Sequence, residues 1–187
     1  MNAKNLVKGT LIGTLVLFLY GATEWFNPYL HQVYKHPKSK EQVAQVLLDN
    51  MSENGIYIWP NRGEAEEKSE MGIIYFISKQ DPSFYDPGKF MGGQLLINLM
   101  LWFLITALLL QAKIESHRQR VLFIMILGII AGLSYLIPMW NWWGFSTEYV
   151  LMRWGNMLIG WLLAGIAVSW SLRSAFLPKL NLRTTLA

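Results

Sequence analysis

The chain contains no cysteine among its 187 residues. Disulfides, iron–sulfur clusters, thiolate zinc sites and dithiol relays are thereby excluded, and any part standing outside a membrane must fold without covalent staples. Charge is also scarce: Asp, Glu, Lys and Arg make up 15% of the residues, against roughly 25% in soluble domains. The deficit is concentrated in long windows that carry no ionisable group. Lipid is the solvent such windows suit.

Histidine is rare, with three in the chain, and none falls inside an apolar run. A membrane haem needs axial histidines within its spans, and a zinc hydrolase needs a cluster such as HExxH. In HQVYKH, His31 and His36 stand five apart, a spacing that fits neither a helical nor a strand metal pair. P-loop, GxGxxG and nucleophile-elbow patterns are missing too. The deep parts of the apolar runs hold no carboxylate, which argues against a proton path. No metal and no cofactor is expected, although a bound lipid or quinone fits the composition. Net charge is +4, but the basic residues sit in short clusters beside apolar runs and form no stripe, which speaks against nucleic acid.

What is present is apolar, at 53% of residues. Four segments, 9–26, 92–111, 121–140 and 149–170, qualify as spans. Each has about 18 to 22 residues, or roughly 27 to 33 Å of helix, the thickness of a hydrocarbon core. Residues 1–26 form a tip and the first span. Lys4 and Lys8 resemble the basic region of a secretory signal, but in LYGATEW the residue three before Thr23 is Tyr20, so an uncleaved anchor is expected. Lysine and arginine cluster before the first span (Lys4, Lys8), in the 112–120 loop (Lys113, Arg118, Arg120) and in the 171–187 tail (Arg173, Lys179, Arg183), while the 141–148 turn has none. Both termini are therefore expected in the cytoplasm, and a bacterial inner membrane fits the compactness and charge bias. The tail alternates basic and apolar residues and suits either an anionic inner leaflet or a neighbouring subunit.

The turn carries WNWWGF, residues 140–145. Tryptophan gathers at membrane interfaces because its ring is apolar while its N–H needs a wet partner. Trp25, Trp140, Trp142, Trp143 and Trp154 are expected at the outer boundary and Trp170 at the inner one; a ligand-stacking platform is the alternative.

The loop 27–91 is long enough to fold in water. SKEQVAQVLLDNM reads as a helix with Ser39 at its N-cap, GIYIWP and GIIYFISK as strands, NRGEAEEKSE as a solvated connection and DPSFYDPGK as a turn region. The expected fold is an all-α integral membrane protein of four transmembrane helices, with a small α+β extracytoplasmic domain inserted between the first two.

Three ionisable groups lie near the outer ends of spans: Glu24, Glu148 and Arg153. Such groups are functional candidates by default, and an inert ion pair of Arg153 with one or both glutamates is the plainer reading. Tyr149, Arg153, Asn156, Gly160 and Ala164 share one face of the fourth span, and Gln94, Asn98 and Thr106 one side of the second. Facing each other, these stripes would form a polar cup open to the outside. Gly9 with Gly13, Gly128 with Gly132, and Gly160 with Ala164 have the small-xxx-small spacing of close helix contact.

The expected function is that of a non-enzymatic accessory, assembly or stabilising subunit of a larger membrane complex, bound to lipid and to a protein partner or to further copies of itself. The alternative is a binding or transport module whose cup, around Gln94, Asn98, Arg153 and Asn156, holds a lipid headgroup, a quinone or a small anion. An enzyme, using Glu24 or Glu148 as acid or base, is the least favoured reading.

Overall fold

Each long apolar run becomes a helix that reaches beyond the expected span at one end or both. The computed structural model describes residues 2–24, 26–59 and 75–176. Along the chain come α1 (Ala3–Glu24), α2 (Pro28–Val33), α3 (Lys40–Asn50), β1 (Gly55–Trp59), β2 (Tyr75–Lys79), a 3-10 turn (Pro82–Phe84), α4 (Pro87–Ala112), α5 (His117–Trp143), α6 (Thr147–Ser171) and a second 3-10 turn (Arg173–Ala175). The helices α1, α4, α5 and α6 are long and apolar enough to cross a membrane.

Helix ends follow local chemistry. The second Asp-Pro pair, expected within the turn region DPSFYDPGK, opens α4 instead. The Asp86 carboxylate accepts hydrogen bonds from the N–H groups of Gly88 (2.9 Å) and Lys89 (3.2 Å), and Pro87 takes the first helical position, where its lack of an N–H costs nothing. The expected 141–148 turn shrinks to three residues, because α5 runs on through Pro138 and WNWW to Trp143. Gly144, at φ 67°, supplies the left-handed stop, and the Phe145 N–H closes onto the Met139 carbonyl at 3.3 Å. Ser146 caps α6 by accepting from the Tyr149 N–H at 3.2 Å, and the Trp140 indole donates across the hairpin to Thr147 Oγ1 at 3.0 Å.

The helix α1 packs along both α4 and α6, and α6 packs along α5. Each of these neighbouring pairs runs antiparallel. Lipid tails are as apolar as leucine, so association depends on fit between helix surfaces. Here the fit is aromatic ring on glycine. A Cβ on Gly13 would collide with the ring of Trp102, one on Gly128 would lie 2.9 Å from Trp161, and one on Gly132 would collide with the indole of Trp154. Gly9 lies against Thr106, and Gly160 against Tyr20 and Leu17. Trp102 and Trp161 are 0% and 5% exposed and meet at the bundle centre with ring centroids 6.4 Å apart. Ile105, Leu109, Ile124, Ala164 and Val168 complete the core.

Trp154, expected at the outer boundary, is half-buried: its ring fills the space over Gly132, and its Nε1 is buried without a hydrogen-bond partner among the described residues. Trp140, Trp142 and Trp170 are exposed at 47%, 65% and 61%, and Trp143 at 39%. Trp25 lies outside the described residues.

The insert between α1 and α4 holds α2, α3 and a two-stranded antiparallel sheet whose register runs from Gly55↔Lys79 to Trp59↔Tyr75. The expected connection NRGEAEEKSE and the first residues of GIIYFISK lie outside the described residues. The Lys79 ammonium donates to the Met51 carbonyl, which ties the sheet to the end of α3. Asp81 caps the following 3-10 turn, and hydrogen bonds from Ser83 hold its carboxyl below the usual carboxylate range. The rings of Tyr34, after α2, and Tyr149, on α6, meet edge to face at 5.9 Å.

Two glycines of similar appearance have opposite expected responses. Gly13→Ala should lower stability by about 1–3 kcal/mol by displacing Trp102. Gly155→Ala, with nothing within 4 Å of the new methyl, should be neutral or stabilising by up to about 1 kcal/mol. Unfolding of both variants in mild detergent measures the contrast.

Candidate functional site

At the insert end of the bundle, the last residue of α1 meets the second turn of α6. Glu24 and Arg153 form an ion pair at 2.8 Å. The Asn156 side-chain amide donates to the other carboxylate oxygen of Glu24, and the Tyr20 hydroxyl donates to Asn156 Oδ1 at 2.6 Å. Each member satisfies the next: the carboxylate has a cation and an amide donor, and the amide oxygen has a phenol. The pair is half-buried, with side-chain exposures of 37% for Arg153 and 27% for Glu24. Glu148 stands apart, exposed in the first turn of α6, where the helix dipole favours an anion; among the described residues it has no hydrogen bond or ion pair.

The α4 stripe is separate. Gln94 donates to Asn98 Oδ1 at 2.9 Å. Asn98 is 3% exposed, and its backbone carbonyl accepts from the Thr14 hydroxyl of α1 at 3.3 Å. Thr106, further down, is fully buried against Gly9, and its hydroxyl has no partner among the described residues. The two stripes therefore do not face each other across a cup. Both are bonded to α1: its small face of Gly9, Thr10, Gly13 and Thr14 admits α4, and Tyr20 and Glu24 face α6. Two grooves of about 410 and 450 Å³ run along the junction of α1 and α4. Their walls are nearly all aliphatic, including Leu11, Leu95, Leu96 and Leu99, and they contain none of the charged residues above.

A second charged cluster, which the sequence reading counted as loop charge, closes the opposite end. Arg120 is 2% exposed. Its Nε donates to Ser169 Oγ at 2.9 Å and Nη2 to the Ser169 carbonyl at 3.2 Å. Its Nη1 donates to the carbonyls of Ile114 (3.1 Å) and Glu115 (2.6 Å). The guanidinium lies 4.5 Å over the Phe176 ring. Among the described residues it has no carboxylate partner; its acceptors are two carbonyls of the loop between α4 and α5, together with the hydroxyl and carbonyl of Ser169 in the last turn of α6, where partial negative charge accumulates. Lys8 adds to this, donating to the Ser171 carbonyl at 2.8 Å.

The position was hidden because α5 begins at His117, a full turn before the apolar run. Ser116, an N-cap residue type, was the available signal, with Ser169 as the matching polar residue late in α6. Ser169 Oγ also lies 2.8 Å from His117 Nδ1, the spacing of a nucleophile and its base. The serine is fully buried and already engaged by Arg120, so the pair joins α5 to α6 and presents no hydroxyl to a substrate.

No family model, curated protein or solved structure matches the chain.

The two arginines should respond differently to substitution. Arg153→Ala should cost about 1–3 kcal/mol, less than loss of a fully buried partner because the pair keeps some access to solvent, and the exchanged pair Glu24→Arg with Arg153→Glu should restore part of it. Arg120→Met should cost more, about 2–4 kcal/mol, since the buried Ser169 and the two loop carbonyls lose their donor, and Arg120→Lys should recover little because one ammonium cannot reach both the α4–α5 loop and α6. Unfolding titrations in detergent rank the four variants.

Proposed function

We propose that this is a non-enzymatic membrane protein that serves as an accessory, assembly or stabilising subunit of a larger complex in a bacterial inner membrane, with cytoplasmic termini and an extracytoplasmic insert. The observation that carries this reading is that the described residues of the insert build no core of their own. The helix α3 buries no residue, while Val46, Leu48 and Ile56 are 60%, 62% and 64% exposed and Ile58 44%. A two-stranded sheet beside one helix is marginal alone, and apolar side chains left open on both elements suit a covering surface.

The polar residues at the insert end favour the same reading over the ligand-binding one. Arg153, the cation that would hold an anionic headgroup or a quinone, is taken by Glu24, and Asn156 by Glu24 and Tyr20. The cluster joins α1 to α6 and leaves its strongest donors occupied.

The subunit reading predicts a stoichiometric protein partner when the tagged chain is purified from its native membrane in mild detergent. The double substitution Val46→Glu with Leu48→Glu on α3 should lose that partner while leaving bundle unfolding unchanged. A monodisperse monomer that crosslinking in native membranes does not alter would contradict the reading, and co-purification of one enriched lipid or quinone, lost in Arg153→Ala, would favour the binding module.

A further inference from the structure

The junction between the insert and α4 carries three aromatic rings packed on one another. Phe84 meets Phe90 at 5.2 Å and Tyr85 meets Phe90 at 5.6 Å, both edge to face. All three stay open to the surroundings, at 50%, 79% and 40% exposure. Phe84 and Tyr85 belong to the 3-10 turn and its cap, whereas Phe90 stands on the first turn of α4.

The backbone of this junction is closed on itself. Ser83 donates to the Asp81 carboxylate, Phe84 to the Asp81 carbonyl at 2.9 Å, Tyr85 to Pro82 at 3.1 Å and Asp86 to Phe84 at 2.9 Å. Gly88 and Lys89 donate to the Asp86 carboxylate, and the remaining positions, Pro82 and Pro87, have no N–H. Every main-chain donor from residue 82 to residue 89 is therefore satisfied without water. A loop in bulk solvent gains little from such closure, but a segment entering a less polar medium needs it, because an unmet N–H there has no water to bond.

Depth follows from α4 itself. Its charge-free stretch starts at Phe90, directly after Lys89, and ends at Ala112, before Lys113. That stretch is roughly 34 Å long, a few Å more than the ~30 Å hydrocarbon core. Phe90 therefore stands within a residue or two of the hydrocarbon boundary, and rings in contact with it fall inside the headgroup layer, which adds roughly 5–8 Å per side. Lys89, with a side chain 74% exposed, is placed to meet lipid phosphates at the same level.

We propose that residues 82–90 form an interfacial foot: the Phe84, Tyr85 and Phe90 rings are seated in the headgroup layer of the bilayer and fix the insert against the membrane surface. This requires only that α4 cross the bilayer, and it stands or falls independently of the subunit reading.

The absence of cysteine makes the test direct. Single variants Tyr85→Cys and Leu95→Cys, both at exposed positions, are labelled with a nitroxide in the full-length chain and reconstituted into phosphatidylcholine–phosphatidylglycerol vesicles. Accessibility to oxygen, which concentrates in lipid, is compared with accessibility to a water-soluble nickel chelate. The foot predicts an oxygen-to-nickel ratio at position 85 several-fold above that of nitroxide free in buffer and below that at position 95. A ratio at position 85 equal to that of free nitroxide overturns it, and the value at position 95 then tells whether the crossing of α4 has failed as well.

Discussion

Tryptophan rings seated on glycine backbones set the spacing of this bundle. In lipid no solvent force drives helices together, so the gain comes from contact area and shape. A tryptophan offers up to about 250 Å² of surface to bury, but only if the opposing helix presents no side chain. Gly13 beneath Trp102, and Gly128 and Gly132 beneath Trp161 and Trp154, meet that condition on two separate helix pairs. Trp102 and Trp161 then touch, and through them α4 meets α6 across a bundle in which each otherwise packs on a different side of α1 or α5.

With the middle of the bundle held by shape, its two ends are held by charge, in chemically different ways. At the insert end a guanidinium meets a carboxylate, and an amide and a phenol extend the chain of bonds, so α1 and α6 are joined by side chains. At the terminal end Arg120 meets main-chain carbonyls of the α4–α5 loop and of the last turn of α6. Its planar fork suits this task because its donors point in several fixed directions. Both arrangements keep charge near the ends and leave the middle to apolar packing.

How much of this was legible in the sequence depends on the kind of signal. The four helices were, because a long charge-free run has few alternatives in lipid, and so was the use of glycine for close contact. The partner of each glycine was not: nothing in the spacing of Gly13 says that Trp102 covers it, and composition does not say that the Trp154 ring lies over Gly132. Which helix each polar stripe meets was not legible either, since a helical wheel cannot show that both are bonded to α1. Arg120 was lost through a boundary error of one turn, which placed a buried cation in a loop. The ends of α4 and α5 moved for the same reason: Asp-Pro and Trp-Gly are turn signals that here act as a helix cap and a helix stop.

The insert inherits its position from these helices. Tyr34 on Tyr149 ties it to α6 at one side, and Asp86 starts α4 at the other. The position of α1 between the polar stripes of α4 and α6 is tested most directly by paired thiol crosslinking in the cysteine-free chain. With a short bifunctional reagent in native membranes, Asn98→Cys should crosslink efficiently to Thr14→Cys on α1 and not to Asn156→Cys on α6. Efficient crosslinking of positions 98 and 156, with little between 98 and 14, would show that the stripes face each other and would contradict the arrangement described.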